Sequence, residues 1–323
     1  SMTEIPTHPN YEIFEALNDD EIATIYRAHD LRARRDVAIR AFKKFKEEDP
    51  RSSNAFWEEL LYLASISHPH LVRIYRIDQE QRWIVLEWMS GGSLQQRIAK
   101  KAMTPDQIKQ ALIHALHGLE CLHGQKRLHG NLHLDTLLVN EEETVKLSES
   151  VGLIDGKPLA LTGSAKGLAP ELVNPEAGTI GPGLDLYCLG FAALEMLKGP
   201  KFASLFPSVV AAKKDPGPAW KAIHGNLVDP LPSAISIADD IPEDLAHVID
   251  RMFAKRATDR FSCAEEALQA LGVSEGSALA SATDAAMNRT LRPDEMQVFL
   301  ADLQDPPDED PPTHTPKKKS CTL

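Results

Sequence analysis

In the first ninety residues apolar and polar positions alternate in short runs. YEIFEAL (11–17), IATIYRAHD (22–30) and DVAIRAFKKF (36–45) each have the period of a strand. The connections between them, an acidic turn at 18–21 and the basic turn LRARR (31–35), are short enough only for an antiparallel meander. From about Ser53 to Ser65 the period changes. Phe56, Leu60, Leu63 and Ala64 fall on one helical face, and His68-Pro69-His70 ends the run because a residue before proline is pushed out of the α region. LVRIYRI (71–77) and RWIVLEWM (82–89) predict a further hairpin, so residues 11–89 read as five strands and one helix.

After Ser90-Gly91-Gly92-Ser93, read as flexible punctuation, helical periods dominate. Thr104, Pro105 and Gln107 form a capping box with proline at the first helical position, opening a helix to about Leu122. Residues 137–149 predict a short hairpin, and 150–167 a loop. LDLYCLGFAALEML (184–197) is apolar on nearly every face, which predicts a buried helix stopped at Gly199-Pro200. Two more helices are expected at 242–254 and 263–271, the second capped by Ser262 with Glu265 and ended by Gly272. Beyond Val273 comes a Ser/Ala-rich stretch, then MQVFLADL (296–303) with Met296, Phe299, Leu300 and Leu303 on one face. That segment is expected either to dock on its own domain or to bind a partner. DPPDEDPPTHTP is too rich in proline and acid to pack.

Composition narrows the classes. At 323 residues the chain is long enough for two lobes, and 43% apolar with 25% charged residues suits a globular protein. The net charge of −12 argues against a nucleic-acid surface. Four cysteines without paired spacing give neither a disulfide framework nor a zinc signature, and fit a reducing cytoplasmic compartment. His114, His117, His123, His129 and His133 have no accompanying cysteine pattern and are expected to pack or face solvent, not to hold metal. No apolar run spans a bilayer. Lys317, Lys318 and Lys319 near the C-terminus fit either a solvated end or a segment leading to a membrane anchor on the inner face of the cell membrane. Ser1-Met2 fits a cleaved-tag scar before a native methionine, so that the chain is expected to be part of a longer protein.

The chemistry-bearing stretch is RLHGNLHLDTLLVN (127–140). It resembles the catalytic loop HRDLKPENILL of protein kinases, without a gap. Other landmarks follow in order. VAIR (37–40) resembles VAIK, Glu59 the αC glutamate, and WIVLEWMSGGSL (83–94) the hinge, with Leu86 as gatekeeper. LSESV (147–151) sits at DFG, Ala169-Pro170-Glu171 is APE, DLYCLG (185–190) resembles DIYSLG, and Arg260 resembles the arginine that pairs with the APE glutamate. The resemblance covers roughly 11–272 and is nearest in flavour to bacterial serine/threonine kinases. It implies an α+β, two-lobed fold: a small antiparallel β-sheet lobe with one helix (11–89), a larger, mostly helical lobe (90–273), and extensions at 1–10 and 274–323.

Several of the family's chemical residues are changed. Its glycine-loop positions fall on Asn18, Asp20 and Ala23, amid acids that repel a triphosphate by about 1–4 kcal/mol per pair. Arg40 replaces the phosphate-holding lysine and is expected to pair with Glu59. Asn131 replaces the catalytic aspartate, His133 a lysine, Thr136 a metal-binding asparagine and Glu149 the DFG aspartate. Gly130 removes the arginine that reads activation-loop phosphate, so Thr162 and Ser164 lack that reader. His129, Glu171, Asp185 and Arg260 keep structural roles. Ile25, Ala38, Leu86, Glu87, Met89 and Leu138 either retain an adenine slot, with Arg40 and Glu59 beside it, or pack on one another. The substitutions imply a catalytically inactive scaffold or allosteric regulator, a pseudokinase with a protein partner and no cofactor. The alternatives are an unconventional phosphoryl or nucleotidyl transferase using ATP and Mg²⁺, with Arg40 on phosphate and Glu149 on metal, or a nucleotide sensor without turnover.

Overall fold

The computed structural model describes residues 4–151, 153–154, 157–158 and 164–274. Thr162 and the 296–303 segment lie outside them. Five strands form one antiparallel sheet in the order β1-β2-β3-β5-β4: β1 (Tyr11–Asp19), β2 (Ala23–Asp30), β3 (Arg35–Phe42), β4 (Ile74–Asp78) and β5 (Trp83–Glu87). Two register shifts bend β1 against β2, between Ile13 and Glu15 and between Ala16 and Asn18. Tyr11, Tyr26, Ala28, Val37, Ile39 and Val85 are buried together as a small cluster of this lobe. Helix α1 (Asn54–Ala64) is capped by the Ser53 hydroxyl, which accepts from Phe56 N–H, and it buries Phe56, Trp57, Leu60 and Leu63.

The stretch read as flexible at 90–93 is ordered. Gly92–Ser93 form a short strand, β6, and Ser93 caps helix α2 (Leu94–Ile98) in a full capping box with Gln96. Helix α3 (Pro105–Gly124) opens on the expected Thr104–Gln107 box. Strands β7 (Leu137–Val139) and β8 (Val145–Leu147) form the expected hairpin, which joins β6 in a second small sheet. The 150–167 region is not loop throughout: β9 (Leu153–Ile154) and β10 (Lys157–Pro158) pair antiparallel. Helix α4 (Pro182–Lys198) is buried from Leu184 to Leu197 and stops at Gly199, whose φ of 72° only glycine adopts without strain.

Three further helices between 207 and 237 had no clear signal in the sequence: α5 (Pro207–Ala211), α6 (Gly217–Gly225) and α7 (Ala234–Ile237). They are short and interrupted by proline. Helices α8 (Glu243–Met252) and α9 (Ala264–Ala270) close the lobe. The cap of α9 differs from the expected Ser262–Glu265 box. Ser262 does bond a glutamate, but it is Glu266, to which both its N–H and its hydroxyl donate, at 2.7 and 2.8 Å.

Candidate active site

The 127–136 loop is fixed from below by Asp185 at the start of α4. One Asp185 oxygen accepts from the His129 N–H and from His123 Nε2, each at 2.8 Å, and the other accepts from the Gly130 N–H at 2.8 Å. Burial would raise this carboxyl, yet the hydrogen bond and charge of His123, with His129 and the Gly130 N–H, hold it below the usual carboxylate range. His129 is fully buried. Its Nδ1 accepts from the Asn131 N–H at 3.2 Å, so Nε2 carries the proton and donates to the Ser148 carbonyl at 2.7 Å. Burial lowers its pKa and favours this neutral form.

Within the loop, Thr136 is fully buried. Its hydroxyl donates to the His133 carbonyl at 2.8 Å and accepts from the His133 N–H at 3.1 Å. His133 is partly exposed, its Nδ1 accepting from Asp135 N–H at 3.3 Å. A cavity of about 170 Å³ opens beside Asn131 and His133, walled by Leu168, Leu172, Phe191 and Glu195.

The upper wall holds the first surprise. Arg40 on β3 does not pair with Glu59. Its Nη1 lies 3.0 Å from Oε1 of Glu149. Glu59 on α1 pairs instead with Arg127, Nε to Oε1 at 3.2 Å, and Arg127 lies 3.8 Å over the Tyr62 ring. The expected Arg40–Glu59 link is therefore corrected to two separate pairs. Glu149 has a φ of 57°, in the left-handed region.

The turn between β1 and β2 is also closed upon itself. Asp20 Oδ1 accepts from the N–H groups of Ile22 and Ala23 at 2.8 and 2.9 Å, and Asn18 donates to its other oxygen at 3.1 Å. Asp19 accepts from the Thr24 hydroxyl and from Lys43, both at 2.7 Å.

Ile25, Ala38, Leu86 and Leu138 are half-buried, and Met89 is buried at the hinge. Ala38 sits across from Leu86 in the β3–β5 register. Glu87 turns to Lys146, at 2.6 Å, and accepts from the Arg73 N–H at 3.1 Å. Far below, Arg260 and Glu171 form a fully buried two-pronged pair at 2.8 and 2.9 Å.

The chain matches the family described as "Protein kinase domain" over residues 11–271. It belongs to the protein kinase domain family. The Candida albicans serine/threonine-protein kinase CST20 is 28% identical over 243 residues, covering 72% of this chain and 19% of that protein. Mouse serine/threonine-protein kinase PAK 1 is 27% identical over 197 residues, covering 58% of this chain and 35% of that protein. The probable serine/threonine-protein kinase PknB of Lactococcus lactis is 24% identical over 314 residues, 93% of this chain and 47% of that one. The chain thus spans about a fifth of the Candida relative and about half of the bacterial one. In fold it matches the MAP kinase LmaMPK10 from Leishmania major at a TM-score of 0.60 and 17% identity, covering 91% of this chain and 94% of that one.

These findings overturn the expectation of a catalytically inactive scaffold. Relatives aligned over the kinase domain are named serine/threonine-protein kinases, and the family match spans the altered positions. The physical reason is that phosphoryl transfer rests on positioning and electrostatics spread over many groups. Loss of a general base lowers a rate by about 10²–10⁴ without abolishing transfer. Arg40 and Glu149 keep the charge signs of the residues they replace.

Ile25, Ala38 and Leu138, expected to frame an adenine slot, are each half-buried. Phosphate groups entering the site would have to displace contacts the protein makes with itself. The turn N–H groups are bonded to Asp20, Arg40 to Glu149, and the Thr136 hydroxyl to its own loop. Among the described residues no group of three or more His, Cys, Asp or Glu side chains is placed to hold a metal.

Proposed function

We propose that the domain is a serine/threonine-protein phosphotransferase that moves a phosphoryl group from an adenine nucleotide to a protein hydroxyl. The observation that carries this reading is the family match over residues 11–271. The scaffold beneath the loop supports it. Asp185 fixes the backbone at His129 and Gly130, and His129 in turn receives the Asn131 N–H, so the residue at the aspartate position is held at a set height above α4. Asn131 orients an acceptor hydroxyl through its amide and takes no proton from it; as the new P–O bond forms and the bond to the nucleotide's leaving phosphate breaks, the hydroxyl proton passes to an oxygen of the transferred phosphoryl group and from there to solvent. The adenine nucleotide supplies the transferable group, and Arg40 is the cation of the upper wall nearest to Glu149. The cavity beside Asn131 and His133 receives the acceptor segment.

The test is transfer of labelled phosphate from ATP, with Mg²⁺ or Mn²⁺, to a mixed serine/threonine peptide library. Wild type is expected to label the library, and Arg40→Ala to label it at least about tenfold less. Labelling no greater in wild type than in Arg40→Ala overturns the reading.

A further inference from the structure

Three groups in the upper wall are built to hold an anion: the paired N–H groups of Ile22 and Ala23, the Lys43 ammonium and the Arg40 guanidinium. Each is engaged by a carboxylate of the chain itself. Asp20 takes both N–H groups, Asp19 takes Lys43, and Glu149 takes Arg40. The groups are contiguous. Arg40 lies 4.8 Å over the Phe42 ring, Phe42 pairs with Ala23 across the β2–β3 ladder, and the Lys43 N–H donates to the Ile22 carbonyl at 2.9 Å. An anion that sought these donors would meet groups already bonded to a carboxylate.

We propose that Asp20 and Glu149 are built-in anions occupying the phosphate positions of the cleft, so that it takes an uncharged adenine nucleoside in preference to a triphosphate. Triphosphate enters only by displacing them. This rests on the nucleotide-cleft reading above and sets its ligand preference. The hydrogen bonds and ion pairs of Asp20 and Glu149 go to the turn N–H groups, Asn18 and Arg40 rather than to Ile25, Ala38 or Leu138, so affinity for the base and sugar is expected to be independent of them. Displacement requires two carboxylates to leave hydrogen-bonded cations or N–H groups and turn to solvent while an incoming polyanion passes close to both. Coulomb repulsion and the lost bonds act in the same direction.

The experiment is calorimetric titration of the full chain with adenosine and, separately, with metal-free ATP. It compares wild type, Asp20→Gly, which frees the N–H groups, Glu149→Gln, which removes only charge, and the double variant carrying both. Thermal melting of each variant checks that it is folded, and Asp20→Asn replaces Asp20→Gly if the glycine variant is not. Wild type is expected to bind adenosine at least as tightly as ATP. Each substitution is expected to tighten ATP about tenfold and the double variant about a hundredfold, with adenosine changed by less than about twofold. Adenosine binding with ATP affinity unmoved by either substitution overturns the inference, as does a wild type that already prefers ATP by tenfold. Binding of adenosine to none of the proteins sinks the nucleotide-cleft reading itself, and the inference with it.

Discussion

Arg260 uses every donor direction it has inside the helical lobe. Beyond its two bonds to Glu171, Nε donates to the Ala254 carbonyl at 2.7 Å, and the two terminal nitrogens donate to Gly183 and Lys255 carbonyls at 2.8 and 3.0 Å. Removing the Glu171 carboxylate leaves a fully buried guanidinium with no counter-charge, so Glu171→Ala is expected to lower stability by about 3–5 kcal/mol, read from the urea midpoint. Glu171→Gln is expected to lose less, because the amide oxygen still accepts one bond. This pair was legible in the sequence through the family resemblance, since each partner lies in its own recognisable motif. The Arg40 pairing was not. Glu59 has two arginines within reach of the cleft, Arg40 and Arg127, and Arg40 has two carboxylates, Glu59 and Glu149. Spacing along the chain does not rank such choices; the positive φ of Glu149 and the stacking of Arg127 on Tyr62 do. Asp20 was legible as an acid in the wrong place for phosphate, but not as the acceptor of its own turn's N–H groups.

At the level of elements, the long periodic segments were read within a few residues: α1, α3, α4 and α8 lie where their apolar faces placed them. The short helices were missed for a physical reason. Helix α2 and helices α5 to α7 have four to nine residues, too few for a periodic face, and their stability comes from packing. The Ser93–Gln96 capping box was nonetheless visible beside the glycines that were read as flexible. Glycine within the helices separates packing from propensity. A Cβ at Gly190 in α4 would meet Met252 Cβ at 2.9 Å and the Phe253 nitrogen at 3.0 Å, both on or at the end of α8. Gly190→Ala is expected to destabilise by about 1–3 kcal/mol through overpacking of α4 against α8. Nothing lies within 4 Å of a Cβ at Gly124 in the last turn of α3. Gly124→Ala is expected to be neutral or to stabilise by up to about 1 kcal/mol. Denaturation midpoints check both statements: that of Gly190→Ala falls, and that of Gly124→Ala does not.

The two lobes are joined behind the cleft by a stack of histidines, and this makes the whole molecule sensitive to acid. His68 and His70 follow α1 in the sheet lobe; His114 and His117 lie on α3 of the helical lobe. The His70 ring stacks on His114 with centroids 4.4 Å apart and on His117 at 5.9 Å. His70 Nδ1 donates to the Val145 carbonyl at 2.9 Å, and His114 Nδ1 accepts from the Val145 N–H at 3.1 Å. The backbone adds two bonds across the same seam, Val72 N–H to the Leu147 carbonyl and Leu147 N–H to the His70 carbonyl, each 2.8 Å. Burial pushes His68 down to about 4 and His70 to about 3, and lowers His114 as well, helped by neighbouring histidines. The facing charges are few. Lys146 also lowers His68 but is paired with Glu87, while Glu120 raises His68 and lies 3.5 Å from His117. His68, His70 and His114 are neutral when folded and take protons near pH 6.5 when unfolded. Above that pH neither state binds protons at these sites and they exert no pH dependence. As pH falls below 6.5 only the unfolded chain gains protons, so stability drops until the folded values near 4 and 3 are reached. At pH 5 His68 and His70 each withdraw about 2 kcal/mol relative to pH 7. Buried His129 and His224 act in the same direction from within the helical lobe. The expected outcome is a steep loss of unfolding free energy between pH 6.5 and 5, above the range where carboxylates titrate. In the double variant His68→Asn/His70→Asn the slope over that interval is expected to be shallower by up to about two protons, although the variant is less stable at pH 7. Urea denaturation at half-unit steps of pH measures both slopes, and equal slopes would show that the histidine seam does not carry the acid response.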